Sequence, residues 1–212
     1  MHLFRMPAPV RHLFPDCLWR VPVGEGEKTI YLTFDDGPIP EETPFVLAQL
    51  AQFDAKATFF CVGENVVRYP EVARQVVAAG HQLANHTFHH LSGWRHPQPY
   101  YLSDVARCQQ ALNEVLPKPA ARPLLRPPYG RITRPLARAL HTTHQVVMWD
   151  VLTCDYDVAF RPEDCLRAAL RNTRSGSIVV FHDSHKASRN MRYVLPRYLE
   201  HFAKQGFQFK AL

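Results

Sequence analysis

From Lys28 onward, short apolar or β-branched runs alternate with amphipathic runs. That alternation confines the chain to an α/β fold with parallel strands. Strands are expected at Thr29 to Phe34, Ala57 to Val62, Gln82 to Asn85, Leu124 to Arg126, Gln145 to Trp149, Ser177 to Phe181 and Phe207 to Phe209, a number that suits a barrel. Between them, apolar residues at helical spacing predict helices over Pro44 to Phe53, Pro70 to Ala79, Tyr101 to Leu116, Pro162 to Leu170 and Asn190 to Gln205. Proline opens three of these, at Pro44, Pro70 and Pro162, and Gly80, Pro117 and Gly206 each close one. With 212 residues, 46% of them hydrophobic, the chain suits one domain with a sizeable core. The Pro/Gly-rich tract from Pro7 to Glu27 is read as part of an arm, residues 1–27, packed on a domain of residues 28–212.

The 25 Lys and Arg exceed the 19 Asp and Glu, for a formal charge of +6. Such an excess favours anionic partners, but the basic residues are scattered, so they read as a solvated surface and no nucleic-acid partner is expected. Five cysteines, an odd count without a close pair, argue against a disulfide framework and against a cysteine zinc site. Reduced thiols in a cytoplasmic protein are expected. No stretch approaches the roughly 18 apolar residues of a membrane span. The N-terminus, broken by Arg5, Pro7, Pro9, Arg11, Pro15 and Asp16, lacks the apolar core of a signal peptide. Oligomeric state is left open.

Polar residues with catalytic potential fall just after predicted strand ends: Asp35 and Asp36, then His86, then Asp150 and Asp155, then His182 and Asp183. In a closed parallel barrel those ends converge on one face. Asp35 and Asp36, pinned by Gly37-Pro38, are expected to diverge as successive side chains of an extended segment do. Divergence suits one carboxylate binding a metal while the other acts as base; a solvated strand-ending turn is the plain alternative. In His86-Thr87-Phe88-His89-His90, imidazoles four apart fall on one side of a helical turn and can close on a divalent ion. His86 with His89 is also possible, and so is a surface cluster. Arg126-Pro127-Pro128-Tyr129-Gly130 sets a cation at a strand end before a stiff turn that can present a backbone N–H. Val179-Val180-Phe181-His182-Asp183 delivers His182 from an apolar strand, with Asp155 as a possible carboxylate partner.

Together and in this order, these segments resemble the polysaccharide deacetylase family, carbohydrate esterase family four, whose shared unit is the NodB-homology domain. The resemblance runs from about Lys28 to Phe209. It implies a distorted (β/α) barrel of seven or eight strand-helix units as a single domain. It also implies Asp35 as base, Asp36, His86 and His90 as ligands of one divalent metal ion, most commonly zinc, and Arg126 orienting Asp35. The Tyr129 N–H would help hold an oxyanion, and His182, tuned by Asp155, would be the general acid. The implied reaction removes N-acetyl groups from an N-acetylglucosamine-containing glycan of chitin or peptidoglycan type, so the expected partner is an acetylated glycan.

Three positions depart from the family pattern: Leu152 stands where an acid is usual, Tyr156 where tryptophan is, and Val180 where leucine is. These touch the acetyl pocket, and substrate contacts are expected at Tyr156, Val180 and Pro128. A deformylase or other amidohydrolase, or an O-acetyl esterase, would change the substrate and keep the site. A non-catalytic sugar-binding module is opposed by the presence of base, ligands and acid together.

Overall fold

The computed structural model describes Phe4 and residues 8–212. One sheet is built from β1 (Thr29–Asp35), β2 (Thr58–Cys61), β3 (Gln82–Asn85), β4 (Leu124–Leu125), β5 (Gln145–Val146), β6 (Val151–Leu152), β7 (Ile178–His182) and β8 (Gln208–Lys210). Its order is β5-β4-β3-β2-β1-β7-β6, with β8 beside the start of β1, and its ladders are parallel. Around it lie α1 (Ala8–Leu13), α2 (Glu42–Ala51), α3 (Gly63–Arg68), α4 (Pro70–Ala78), α5 (Gln98–Asn113), α6 (Arg134–His141), α7 (Pro162–Asn172) and α8 (Ser188–Ala203). The architecture is a single-domain distorted (β/α) barrel.

Strand alternation sorts the core into two clusters. Ile30, Leu32 and Phe34 of β1, with Phe59, Leu83 and Phe181, face the helices and pack on Val194, Leu195 and Tyr198 of α8. Phe34 stacks between Phe59 at 5.0 Å and Phe181 at 5.7 Å. Phe60, Ala84, Leu125, Val146, Ile178 and Val180 point the other way and fill the barrel interior. All five cysteines are buried and unpaired, so they act as small apolar packing residues.

Two features depart from the sequence reading. The barrel is not closed, since among the described residues no ladder joins β5 to β6. The predicted strand Gln145 to Trp149 stops at Val146, and the chain re-enters the sheet on the far flank as β6. The helices α3 and α6, each a turn or two long, are too short to fill a periodicity window.

Residues ahead of β1 cover both free edges. Leu18 bridges in parallel to Val147, donating its N–H to Val146 O at 2.9 Å, and Leu152 donates to Phe4 O at 3.0 Å. Asp150, predicted near the site, is instead buried behind it, paired with Arg11 and Arg20 and accepting from Ser177 Oγ at 2.8 Å. Residues 1–3 and 5–7 of the predicted arm lie outside the described residues. No described helix is long and apolar enough to cross a membrane.

Candidate active site

Alternation puts Thr33 and Asp35 of β1 on the interior face, and Val180 and His182 of β7 on the same face. The β1–β7 register sets Asp35 directly opposite His182 at the C-terminal ends of their strands. Arg126, just after β4, is fully buried and reaches across the interior with its guanidinium 4.1 Å from the Phe60 ring centroid. Its Nη1 donates to Thr33 Oγ1 at 2.8 Å and to Asp35 Oδ1 at 2.6 Å, and its Nη2 donates to Met148 O at 3.0 Å. Burial lowers the Arg126 pKa, and the Asp35 charge works against that loss. The guanidinium thus fixes the direction of the Asp35 side chain.

Asp36 does not continue the extended strand: its φ is 83°, and this left-handed turn corrects the expected divergence. Both carboxylates face one imidazole, with His86 Nε2 at 3.8 Å from Asp36 Oδ1 and 4.0 Å from Asp35 Oδ2. The turn is braced from behind by Asp183, which accepts the Gly37 N–H at 3.0 Å and the Thr43 hydroxyl at 2.5 Å. A Cβ on Gly37 would lie 2.1 Å from Asp183 Oδ2, so this position requires glycine. Asp183 itself is wholly buried, and burial pushes its carboxyl up to about 8.

The segment from His86 to His90 is not a helical turn. It is an irregular loop in which Thr87 and His90 take positive φ, 63° and 56°. His86 Nδ1 lies 2.8 Å from Arg126 O, which only accepts, so Nδ1 carries the proton and Nε2 is left as a donor to a metal. Burial lowers the His86 pKa to about 4, keeping the ring neutral near pH 7. His90 Nε2 is 3.3 Å from Asp36 Oδ1. Burial opposes ionisation of Asp36, but the His90 hydrogen bond and the charges of His182, His86 and His90 override it and hold the carboxyl below its usual range. Ligand atoms of Asp36, His86 and His90 all lie within 4.8 Å of one another, and one carboxylate oxygen with two imidazole nitrogens suits a divalent ion such as zinc.

His89 is turned away: its Nδ1 sits 2.5 Å from Asp104 Oδ1, while Asp104 Oδ2 accepts the N–H of Phe88 at 2.7 Å and of His89 at 3.1 Å. Asp104, buried on α5, therefore anchors the loop that carries His90. Asp104→Ala is expected to weaken divalent-ion affinity about 10–100-fold, the usual cost of losing an outer support of a ligand. Titration of the apo protein against a chromogenic chelator checks this; unchanged affinity would contradict it.

On the other wall, fully buried Asp155 holds His182 twice, Oδ1 at 2.7 Å from Nδ1 and Oδ2 accepting the backbone N–H at 2.8 Å. Burial alone would lower the His182 pKa. The charge and hydrogen bond of Asp155, with Asp36 and Asp35, override burial and raise it to about 9. The Tyr156 ring meets His182 edge-on at 4.9 Å.

These side chains open into a cleft of about 460 Å³ that brings together Asp35, Asp36, His86, His90 and His182, with Tyr129, Tyr156 and Val180 on its walls. Arg126 and Asp155 stand behind it. Tyr129 has φ 60° and places its ring edge-on to His90 at 4.6 Å. Pro128, read as a substrate contact, is buried and lines no part of this cleft. Three lining residues escaped the sequence reading: Trp149, Arg131 and Lys186. The Trp149 indole N–H is buried without a protein partner, a donor left for a ligand or water. The only available signals were the proximity of Arg131 and Lys186 to the segments carrying Tyr129 and His182.

A carboxylate and an imidazole, side by side at the strand ends of a parallel barrel and beside a set of metal-ligating side chains, form a site suited to acid–base chemistry. A family model for polysaccharide deacetylases matches residues 23–147. The chain belongs to the polysaccharide deacetylase family. It is 34% identical over 194 residues to a peptidoglycan-N-acetylglucosamine deacetylase of Bacillus cereus, covering 90% of this chain and 88% of that protein. It is 36% identical over 163 residues to a chitooligosaccharide deacetylase of Bradyrhizobium sp. strain ANU 289, covering 76% and 73%. Among solved structures, a peptidoglycan N-acetylglucosamine deacetylase in complex with 4-naphthalen-1-yl-N-oxidanyl-benzamide superposes with a TM-score of 0.86 at 25% identity, covering 98% of this chain and 95% of that one.

Proposed function

We propose that this enzyme hydrolyses the N-acetyl group of an N-acetylglucosamine-containing glycan, of peptidoglycan or chitin type, with one zinc ion held by Asp36, His86 and His90. The observation that carries the reading is the register of Asp35 opposite His182 beside that ligand triad. The relatives' activities support the substrate class.

An acetamide resists water because its carbonyl is a poor electrophile and its nitrogen a poor leaving group. Asp36, His86 and His90 would hold a divalent ion, which when bound would supply Lewis acidity and lower the pKa of water there to about 7. Asp35, aimed by Arg126, accepts the proton of the attacking water as its oxygen bonds to the acetyl carbon. The Tyr129 N–H donates to the oxygen that becomes negative. His182, kept protonated by Asp155, gives its proton to the sugar nitrogen as the C–N bond breaks, leaving acetate and a free amine. Leu152, Tyr156 and Val180 form the wall against which the acetyl methyl rests.

The test is acetate release from N-acetylglucosamine oligomers, chitin and peptidoglycan. Acetate equal to the free amine formed, abolished by chelator and restored by zinc, is the expected result. Release of formate, or turnover that survives chelation, overturns the reading.

A further inference from the structure

Most charges around the cleft are matched within the protein. Asp35 is answered by Arg126 and Asp155 by His182, while Asp36 lies against the two imidazoles that would share a metal ion with it. Two lining cations are not: Arg131 and Lys186 contact aromatic rings and pair with no carboxylate among the described residues. Arg131 lies between Trp94, at 5.5 Å, and Tyr129, at 5.3 Å, and Lys186 lies 5.6 Å from the Tyr156 ring centroid. Each cation is therefore backed by an aromatic face, which limits its wandering while leaving its donors free.

Their placement in the sheet gives them a meaning. Arg131 follows β4 and its Pro128–Gly130 turn, and Lys186 follows β7. In the sheet order, β4 and β7 lie on opposite flanks of β1, whose end carries Asp35 and Asp36. A glycan crossing the cleft with its acetamide at Asp35 would send its chain past one cation on each side. The exposed rings of Trp94 and Tyr129, 65% and 60% accessible, extend the Arg131 flank with the flat apolar faces on which sugar rings stack.

We propose that Arg131 and Lys186 are specificity-determining residues that select a glycan whose deacetylated unit has carboxylate-bearing neighbours, in preference to a neutral homopolymer. This rests on the reading of the cleft as a glycan deacetylase site. A half-buried guanidinium and an exposed ammonium at the rims of the cleft reward a carboxylate and gain little from a hydroxyl. The uncharged strand of the same sugars would leave both cations without an anion, so discrimination comes from the charge of the neighbouring units rather than from the reacting one.

The test uses peptide-free peptidoglycan strands, in which every second sugar carries a lactyl carboxylate, and the same strands with those carboxylates chemically reduced to alcohols. Binding is measured by calorimetry in full-length Asp35→Asn protein, so that strands are not consumed. The carboxylate form is expected to bind about tenfold more tightly, a preference that shrinks in high salt. Arg131→Gln and Lys186→Gln should each reduce the preference about threefold. Lys118→Gln removes the same charge from the loop ahead of β4, at the opposite end of the sheet, and should leave the preference in place. Equal affinity for the two strands, or an equal loss in Lys118→Gln, overturns the inference. Acetate release by the unsubstituted protein is measured in parallel: release with equal affinities defeats the charge selection alone, and charge-selective binding without release upholds the cations while defeating the deacetylase reading.

Discussion

Asp35→Asn should retain its bound ion while turnover falls about 10²–10⁴-fold, the contribution of a positioned base. Asp36→Ala should lose ion and activity together, because it removes the charged member of the ligand triad. The adjacent carboxylates are chemically alike, and the fold separates them. Asp35 is the last residue of β1, buried and bonded by the Arg126 guanidinium at 2.6 Å. Asp36 has left the strand and faces His90 at 3.3 Å. An asparagine at 35 keeps an oxygen for Arg126, so the buried cation stays hydrogen-bonded and the effect is read on chemistry rather than on folding. Measuring metal stoichiometry and acetate release on both variants decides the matter. If Asp35→Asn emerges without metal, the two carboxylates share the ion. If it is fully active, the base lies elsewhere.

How far such roles can be read from sequence depends on whether the residues act within one segment or across several. Asp35-Asp36, His86 through His90, Arg126 through Gly130 and Val179 through Asp183 are local runs, and each marks a strand end by its own apolar-to-polar transition. Five of the helices and most strands were legible for the same reason: their periodicity lies within one window. What pairs across the sheet was not legible. Nothing local to His182 states that it stands opposite Asp35; that follows from the β1–β7 register. The choice of His90 over His89 was likewise hidden, because it is made by Asp104 on α5, fifteen residues and one element away from His89. The expected divergence of the aspartates failed for a local reason, since it assumed an extended backbone at Asp36, where the φ is 83°. Asp150 and Asp183 shared the polar signature of a strand end, yet one anchors the residues ahead of β1 and the other braces the turn at Gly37. A strand-end acid thus marks a place in the barrel, and its partners decide its task.

The second large effect concerns the proton given to the leaving amine. Only protonated His182 can act as acid, and its pKa of about 9 keeps it in that form through neutral pH. Activity on the alkaline side should therefore fall as pH rises through about 9, and the sign follows from which form works. Asp155→Asn removes the carboxylate that contributes most to raising this value and leaves burial, which lowers it, opposed by Asp36 and Asp35 alone. The alkaline limb of kcat/KM should move down to about 6.5 or below, the ordinary imidazole range. At pH 8 the protonated fraction then drops from about nine-tenths to about one-thirtieth, a loss of about 30-fold, while near pH 6 the two proteins should differ much less. The asparagine still offers an oxygen to Nδ1–H, so a loss of equal size at every pH would indicate that Asp155 only holds the ring in place. A limb that stays near 9 in the variant would assign the acid to another group. Because this pKa belongs to the free enzyme, kcat/KM is the quantity to follow, and the pH dependence separates the two roles without any assumption about substrate affinity.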